Sequence, residues 1–305
     1  VKGTLKEYMK VGIVHFMAFP STMRGEGPVA DTVKAVLEDD YFDAIEISWV
    51  KDPKERARVK AMLAASHATV AYGAQPRLLT QQLDLNSADE ASRRRAVDEL
   101  KLAVDDALDL GANGIAFLSG KYTGENDRSA AMDRLESSIS EVCGYAANKG
   151  ARLTLEVFDK TVDKKCLIGN AADALEIAQR VRRTHENFGL MVDLSHIPLL
   201  CESPEEALVP VRDYVTHIHI GNCYTADTAS PAYGDQHPRF GYPGGANDVP
   251  EIVAFLRVLF QIDYLRGGHC PIVSFEVKPV GDEDPAIVIA NAKRALNEAW
   301  AKLEL

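Results

Sequence analysis

The sequence predicts an α/β chain whose strands close into a single (β/α)₈ barrel. Three observations predict it. Eight short apolar runs recur along the chain, amphipathic segments separate them, and acidic or imidazole side chains stand at the ends of the later runs. Alternating strands and helices build a parallel sheet covered by helices, and eight repeats favour closure over an open sheet.

The runs, in order, are VGIVHFMAF from Val11, DAIEISWV from Asp43, ATVAYGA from Ala68, NGIAFLSG from Asn113, RLTLEVFD from Arg152, GLMVDLS from Gly189, VTHIHIG from Val215 and PIVSFEV from Pro271. Several are rich in Val, Ile and Phe, and all are short enough to be strands. An open dinucleotide-binding sheet would carry a GxGxxG turn after its first strand. The first turn here reads AFPSTMRGEGP, with glycines but not that spacing.

The clearest helix starts at Ser87, SADEASRRRAVDELKLAVDDALDLG, with Ala, Val and Leu at three- and four-residue steps and a stop at Gly111. Its charge run SRRRAVDE, from Ser92, reads as a solvated face. A second helix from Arg128 ends at Gly150, and a last one from about Asp284 closes the chain.

The chain has 305 residues, 46% apolar and 26% charged, which suits one soluble domain over residues 1–305. No apolar stretch approaches the roughly 18 residues a membrane span needs. The opening VKGTLKEYMK lacks the apolar core of a secretory signal. A net charge of −11 repels phosphate backbones and argues against a nucleic-acid partner. The five cysteines, Cys143, Cys166, Cys201, Cys223 and Cys270, are scattered without a CxxC pair. That pattern suggests a reducing compartment, so a cytoplasmic location is expected.

The longest irregular stretch, at about 222–247, reads NCYTADTASPAYGDQHPRFGYPGGAN. It follows the seventh strand, at the face where barrels place their active sites, so it is expected to be a functional loop.

The chemistry concentrates at four strand ends. Glu156 ends the fifth run, Asp193 and His196 lie at the end of the sixth, His217 and His219 on the seventh, and Glu276 on the eighth. Charged groups gathered at one mouth would be costly without a cation. The expected metal ligands are therefore Glu156, Asp193, His219 and Glu276. Residues two apart on a strand share a face, so His217 points inward below His219 and belongs to a deeper layer or stands behind the metal ligands. By the same rule Ser274, Glu276 and Lys278 share a face, with Lys278 at the mouth. Three carboxylates and an imidazole suit one Mn²⁺ ion, with Mg²⁺ or Co²⁺ as alternatives, better than a structural zinc.

Taken together, these residues resemble the xylose-isomerase-like TIM-barrel superfamily, which includes sugar epimerases, inosose dehydratases and apurinic endonucleases. The Glu of strand five, the DxxH of strand six, the HxH of strand seven and the Glu of strand eight match its pattern in order, over essentially the whole chain. The resemblance implies that Glu156 and Glu276 bind metal and also shuttle protons, and that His196 contacts substrate. It also implies that Glu46 faces the substrate, and that the chain forms a homo-oligomer. One departure is visible: the family's epimerases place an arginine shortly after HxH, where this chain reads GNCYTADT. The longer loop and the segment FDKTVDKKCLIG from Phe158 resemble the large subunits of bacterial C-glycoside deglycosidases, which pair with a small second subunit.

Other residues are candidates for holding a sugar's hydroxyls or a phosphate: Lys165, Lys278, His237 and Arg239. His15 is read as either pocket floor or packed core. No catalytic thiol is expected at Cys166 or Cys223, because no histidine partner is evident. The expected function is a metal-dependent isomerase or epimerase that removes a proton beside a sugar carbonyl. A carbon–carbon lyase acting on a 3-oxo C-glycoside is the alternative. An apurinic endonuclease, which needs more histidines and a basic face, and a non-catalytic scaffold stand further back.

Overall fold

The structure, a computed structural model, describes residues 3–304. Its strands are β1 (Lys10–Ile13), β2 (Ala44–Ile47), β3 (Thr69–Gly73), β4 (Gly114–Leu118), β5 (Arg152–Glu156), β6 (Phe188–Asp193), β7 (Val215–Gly221) and β8 (Ile272–Glu276). All run parallel, and each pairs with its sequence neighbour from β2 through β8, with β1 beside β8. The ring draws together between β1 and β2 through a Val14–Glu46 bridge and a bond from Asp43 N to Val11 O of 2.8 Å. The eight predicted runs thus become the eight strands of one TIM barrel.

Helices fill every crossover. The one from Glu90 to Asp109 buries Ala96, Val97, Leu100, Ala103, Val104 and Ala107, the three- and four-residue steps of its sequence. Each fully buried Val or Leu of this kind stabilises the fold by about 1.5–3 kcal/mol. Caps set several helix starts. Asp52 accepts from the Lys54 and Glu55 amides at 2.7 and 3.0 Å, ahead of Pro53. Asp284 does the same ahead of Pro285. A carboxylate satisfies amides that lack helical partners, and proline there loses no hydrogen bond.

Three boundaries differ from expectation. The helix expected from Ser87 begins at Glu90, because Asp89 rather than Ser87 caps it. The helix expected from Arg128 begins one turn earlier, at Glu125. The first run is strand only to Ile13; His15–Ala18 is a helical turn. In the charge run Arg94 and Arg95 are exposed, but Arg93 turns inward to the Ser138 hydroxyl at 3.2 Å. Among the described residues no helix is long and apolar enough to cross a membrane.

Two features of the barrel shape the site. Between Leu190 and Met191 the β6–β7 register slips, so Met191 pairs with His217 and Asp193 with His219. Lower in the barrel, the lining includes the small residues Ala71, Ala116, Thr154 and Gly189, leaving a cavity of about 370 Å³ that reaches up to Glu46 and His217.

Candidate metal centre and active site

At the C-terminal mouth, one ligand atom from each of Glu156, Asp193, His219 and Glu276 lies within 4.8 Å of the others, and all four residues are buried. Each comes from the end of a strand. Glu156 ends β5, Asp193 ends β6 and Glu276 ends β8, while His219 sits two residues before the end of β7. The His219 Nδ1 lies 2.5 Å from Glu276 Oε2, 3.7 Å from Glu156 Oε1 and 3.9 Å from Asp193 Oδ2.

The remaining atoms of these side chains are held from behind. Gln75 Nε2 donates to Glu156 Oε2 at 2.6 Å, and the Ser195 amide donates to Asp193 Oδ1 at 2.7 Å. On its far side, His219 Nε2 lies 3.1 and 3.2 Å from the two Glu46 oxygens. His217 Nε2 reaches the same Glu46 at 2.7 Å. Among the buried atoms without partners are Glu156 Oε1 and Asp193 Oδ2 of the quartet and His237 Nδ1 beside it. Buried polar atoms are nearly always satisfied, and a carboxylate–histidine pair behind a ligand is the usual support of a metal site. The donor set and its orphaned oxygens therefore fit a divalent cation.

The electrostatics agree. Burial opposes charge on His219, yet Glu46 and Glu276 hold its pKa well above the ordinary histidine value. Burial likewise opposes charge on His237, but Glu276 and Asp235 pull its pKa up to about 9. Asp193 is pushed up, chiefly by burial. All three shifts describe carboxylates crowded in a dry site that gains by holding positive charge.

The mouth opens into a cavity of about 210 Å³. Its polar lining includes Glu46, Gln75, Glu156, Lys164, His219, Asp235, Gln236, His237, Glu276 and Lys278, and its apolar wall is formed by Phe16, Met17, Met23, Pro76, Leu79 and Phe158. The loop after β7 supplies part of this lining. It is pinned by Asn222, which accepts from the Asn247 amide at 2.7 Å, and by the Lys278 amide, which donates to His237 O at 2.7 Å. It buries Asp235 and His237 against the quartet. The backbone at Gly221 leaves no room for a side chain: a Cβ there would stand 2.6 Å from Glu276 O and 2.9 Å from His237 Nδ1.

Several expected substrate contacts are engaged elsewhere. Glu46 reaches the cavity floor, but both its oxygens are taken by His217 and His219, so it holds two imidazoles rather than presenting a free acid. Both ring nitrogens of His196 are engaged, Nδ1 with Val157 O at 2.7 Å and Nε2 with Asp235 Oδ1 at 2.9 Å, and its ring lies against Phe158. Neither nitrogen is free for a substrate. Arg239 turns away to Glu283 at 2.9 Å and to Gly241 O at 3.0 Å, so it does not line the cavity. Lys165 is exposed; the ammonium in the cavity wall is that of its neighbour Lys164, 2.9 Å from Asp235 Oδ2. Lys278 does line the cavity and donates to Gln236. His15 is packed core: it is buried, bonds Thr32 Oγ1 at 2.8 Å, and burial lowers its pKa to about 3. Burial also raises the Cys166 thiol to about 12.

Gln75, Lys164 and Asp235 were not anticipated. Gln75 follows β3 directly, at a strand end like the others, and Asp235 stands two residues before His237; those positions were the available signals. Nothing in KK distinguishes Lys164 from Lys165.

Comparison with known proteins bears on the family and the fold. A family model described as xylose isomerase-like TIM barrel matches residues 35–299. Fructoselysine 3-epimerase of Shigella flexneri is 28% identical over 189 residues, which is 59% of this chain and 66% of that protein, just under two thirds of its length. Among solved structures, D-psicose 3-epimerase with D-tagatose from Clostridium cellulolyticum H10 superposes with a TM-score of 0.71 at 20% identity, covering 97% of this chain and 100% of that one. The IOLI protein with a binding zinc atom superposes with a TM-score of 0.73 at 17% identity, covering 97% and 99%. At such identities these superpositions speak for the fold.

Proposed function

We infer, from a chain that belongs to the xylose isomerase-like TIM-barrel family, a sugar epimerase or isomerase that removes and returns a proton beside a carbonyl with the help of one divalent metal. The observation that carries this reading is the pair Glu156 and Glu276. Both line the same cavity, from β5 and β8, and both approach His219 Nδ1, at 3.7 and 2.5 Å.

When bound, a divalent cation polarises a carbonyl oxygen and stabilises the negative charge of an enediolate. Glu156, Asp193, His219 and Glu276 would hold it. The chain's own groups supply the proton chemistry. One carboxylate takes the proton from the carbon beside the carbonyl, and the bonding pair moves into the enediolate. The other carboxylate delivers a proton to the opposite face, which inverts the carbon. Gln75 fixes Glu156 by one oxygen and leaves Oε1 toward the cavity. Lys278 and Gln236, in contact with each other and both lining the cavity, would hold sugar hydroxyls in this reading. The apolar wall of Phe16, Met17 and Phe158 helps to exclude water from the enediolate.

The curated relative is an epimerase acting on a sugar derivative, which supports a keto sugar as substrate. Three carboxylates with imidazole support manganese first, then magnesium or cobalt. No observation separately favours the carbon–carbon lyase or its small second subunit. Self-association and a cytoplasmic location are part of the same reading, the former tested by light scattering. The central test is elemental analysis joined to deuterium exchange into keto sugars in heavy water. One equivalent of metal, with exchange lost in both Glu156→Gln and Glu276→Gln, is expected. A wild-type protein that neither holds nor takes up metal overturns the reading.

A further inference from the structure

We propose that His237 is a fifth protein ligand of the metal, binding through Nδ1. The inference rests on the reading of the quartet as a metal site. It starts from a likeness between two histidines that the sequence does not relate. His219 Nε2 faces the buried carboxylate of Glu46, and its Nδ1 stands 3.9 Å from Asp193 Oδ2. His237 Nε2 lies 2.7 Å from the buried carboxylate of Asp235, and its Nδ1 stands 3.8 Å from the same Asp193 Oδ2. Both rings thus turn one nitrogen to a buried carboxylate and the other toward one orphaned oxygen.

The surroundings of His237 point the same way. Asp235 Oδ1 stands 2.7 Å from Nε2, a charge contact that favours keeping a proton on that nitrogen. Nδ1, buried and without a partner in the protein, is then the nitrogen that would give up its proton to a metal. The carboxylate–histidine–metal arrangement fixes this tautomer and the ring orientation. The backbone is also committed to the placement. His237 holds a positive φ of 50° ahead of Pro238, a left-handed conformation that histidine adopts more readily than most side-chain-bearing residues. The Lys278 amide fixes the His237 carbonyl at 2.7 Å, and Gly221 clears the space beneath Nδ1. Lys164 contacts the second Asp235 oxygen at 2.9 Å, so the carboxylate behind His237 is anchored in turn.

The test uses the full chain loaded with Mn²⁺. Electron spin-echo envelope modulation on the wild type counts coordinated imidazoles, and chelator competition measures affinity. Two imidazoles are expected in the wild type and one in His237→Leu, with affinity lowered roughly tenfold or more and a smaller loss in Asp235→Asn. One imidazole in the wild type overturns the inference and leaves the quartet intact. Wild-type affinity in His237→Leu with only a raised KM also overturns it and assigns the ring to substrate. A wild type that binds no metal overturns the metal site itself, and this inference with it. Because the wild-type count needs no variant, a misfolded His237→Leu would not blunt the test.

Discussion

Asp193 and His219 face each other because β6 and β7 slip register between Leu190 and Met191. With the register of Leu190 opposite Val215 continued unbroken, Asp193 would pair with Ile218, whose side chain points out of the barrel. The slip therefore places the acid and the imidazole in one layer, with Asp193 Oδ2 3.9 Å from His219 Nδ1. Asp193→Asn keeps the shape and removes the charge. It is expected to weaken metal binding by more than the roughly 10–100-fold typical of an outer partner. Chelator competition measures this, with circular dichroism to confirm the fold.

In the proposed metal site Glu46 would be such an outer partner, since it holds His219 by Nε2 and His217 at 2.7 Å. Glu46→Gln leaves one acceptor and turns the other oxygen into a donor. The expected result is a loss of metal affinity of roughly 10–100-fold, with little change in KM measured at saturating metal. A large rise in KM alone would instead return Glu46 to the substrate-facing role.

The fold and the quartet were legible for one reason: a strand repeats every two residues, so the chain declares which side chains share a face. Glu156, Asp193, His219 and Glu276 could be read from strand parity and strand ends alone. The loops carry no such period. Lys164 and Lys165 are indistinguishable as letters, yet Asp159 accepts from the amides of Val162, Asp163 and Lys164 and curls the segment so that only Lys164 enters the cavity wall. Arg239 was misplaced for a similar reason, because its partner Glu283 lies 44 residues away across another loop. His196 sits at the right strand end, but Asp235 and the Val157 carbonyl occupy it from elements that sequence spacing does not connect to it.

Lys164 is the counter-charge of Asp235. Burial works against that ammonium, while Asp235 and Asp163 hold its pKa above the usual lysine range. Asp235 is held well below the usual carboxylate range despite its burial, first by Lys164 and then by His196 and His237. Lys164→Met breaks a buried pair and is expected to cost about 3 kcal/mol, the lower end of such losses, because two histidines remain on Asp235. Urea unfolding of the metal-free protein measures it. Adding Asp235→Asn should recover part of the loss, with a coupling of about 1 kcal/mol or more.

His15 makes one part of the acid stability of the barrel measurable. Its folded pKa is lowered to about 3 by burial, against 6.5 in the unfolded chain. Between those values the unfolded state binds a proton that the folded state refuses, so stability rises with pH across this window. The contribution is fully present above pH 6.5 and is lost as pH falls toward 3, at about 1.4 kcal/mol per pH unit. His15→Gln retains an amide to meet Thr32 but does not titrate. Its unfolding free energy should be flatter by about one proton over that range, as read from urea curves at several pH values.

Gly221 and Gly114 make a paired test of how tightly the mouth is built. An added Cβ at Gly221 would meet backbone, Glu276 O at 2.6 Å, and the His237 ring at 2.9 Å. Backbone cannot rotate aside as a side-chain tip can, so the ends of β7 and β8 must part. Both Glu276 and His237 would move with them. Gly114, at the start of β4 at the opposite end of the barrel, has nothing within 4 Å of such a Cβ and no positive φ. Gly114→Ala is therefore expected to be neutral or to stabilise by about 0.4–1 kcal/mol through the unfolded state. Gly221→Ala is expected to keep the barrel's circular dichroism while losing metal affinity and proton exchange together. If Gly221→Ala binds metal as the wild type does, the loop and the strand end are looser than these contacts require, and His237 need not be held where the metal would find it.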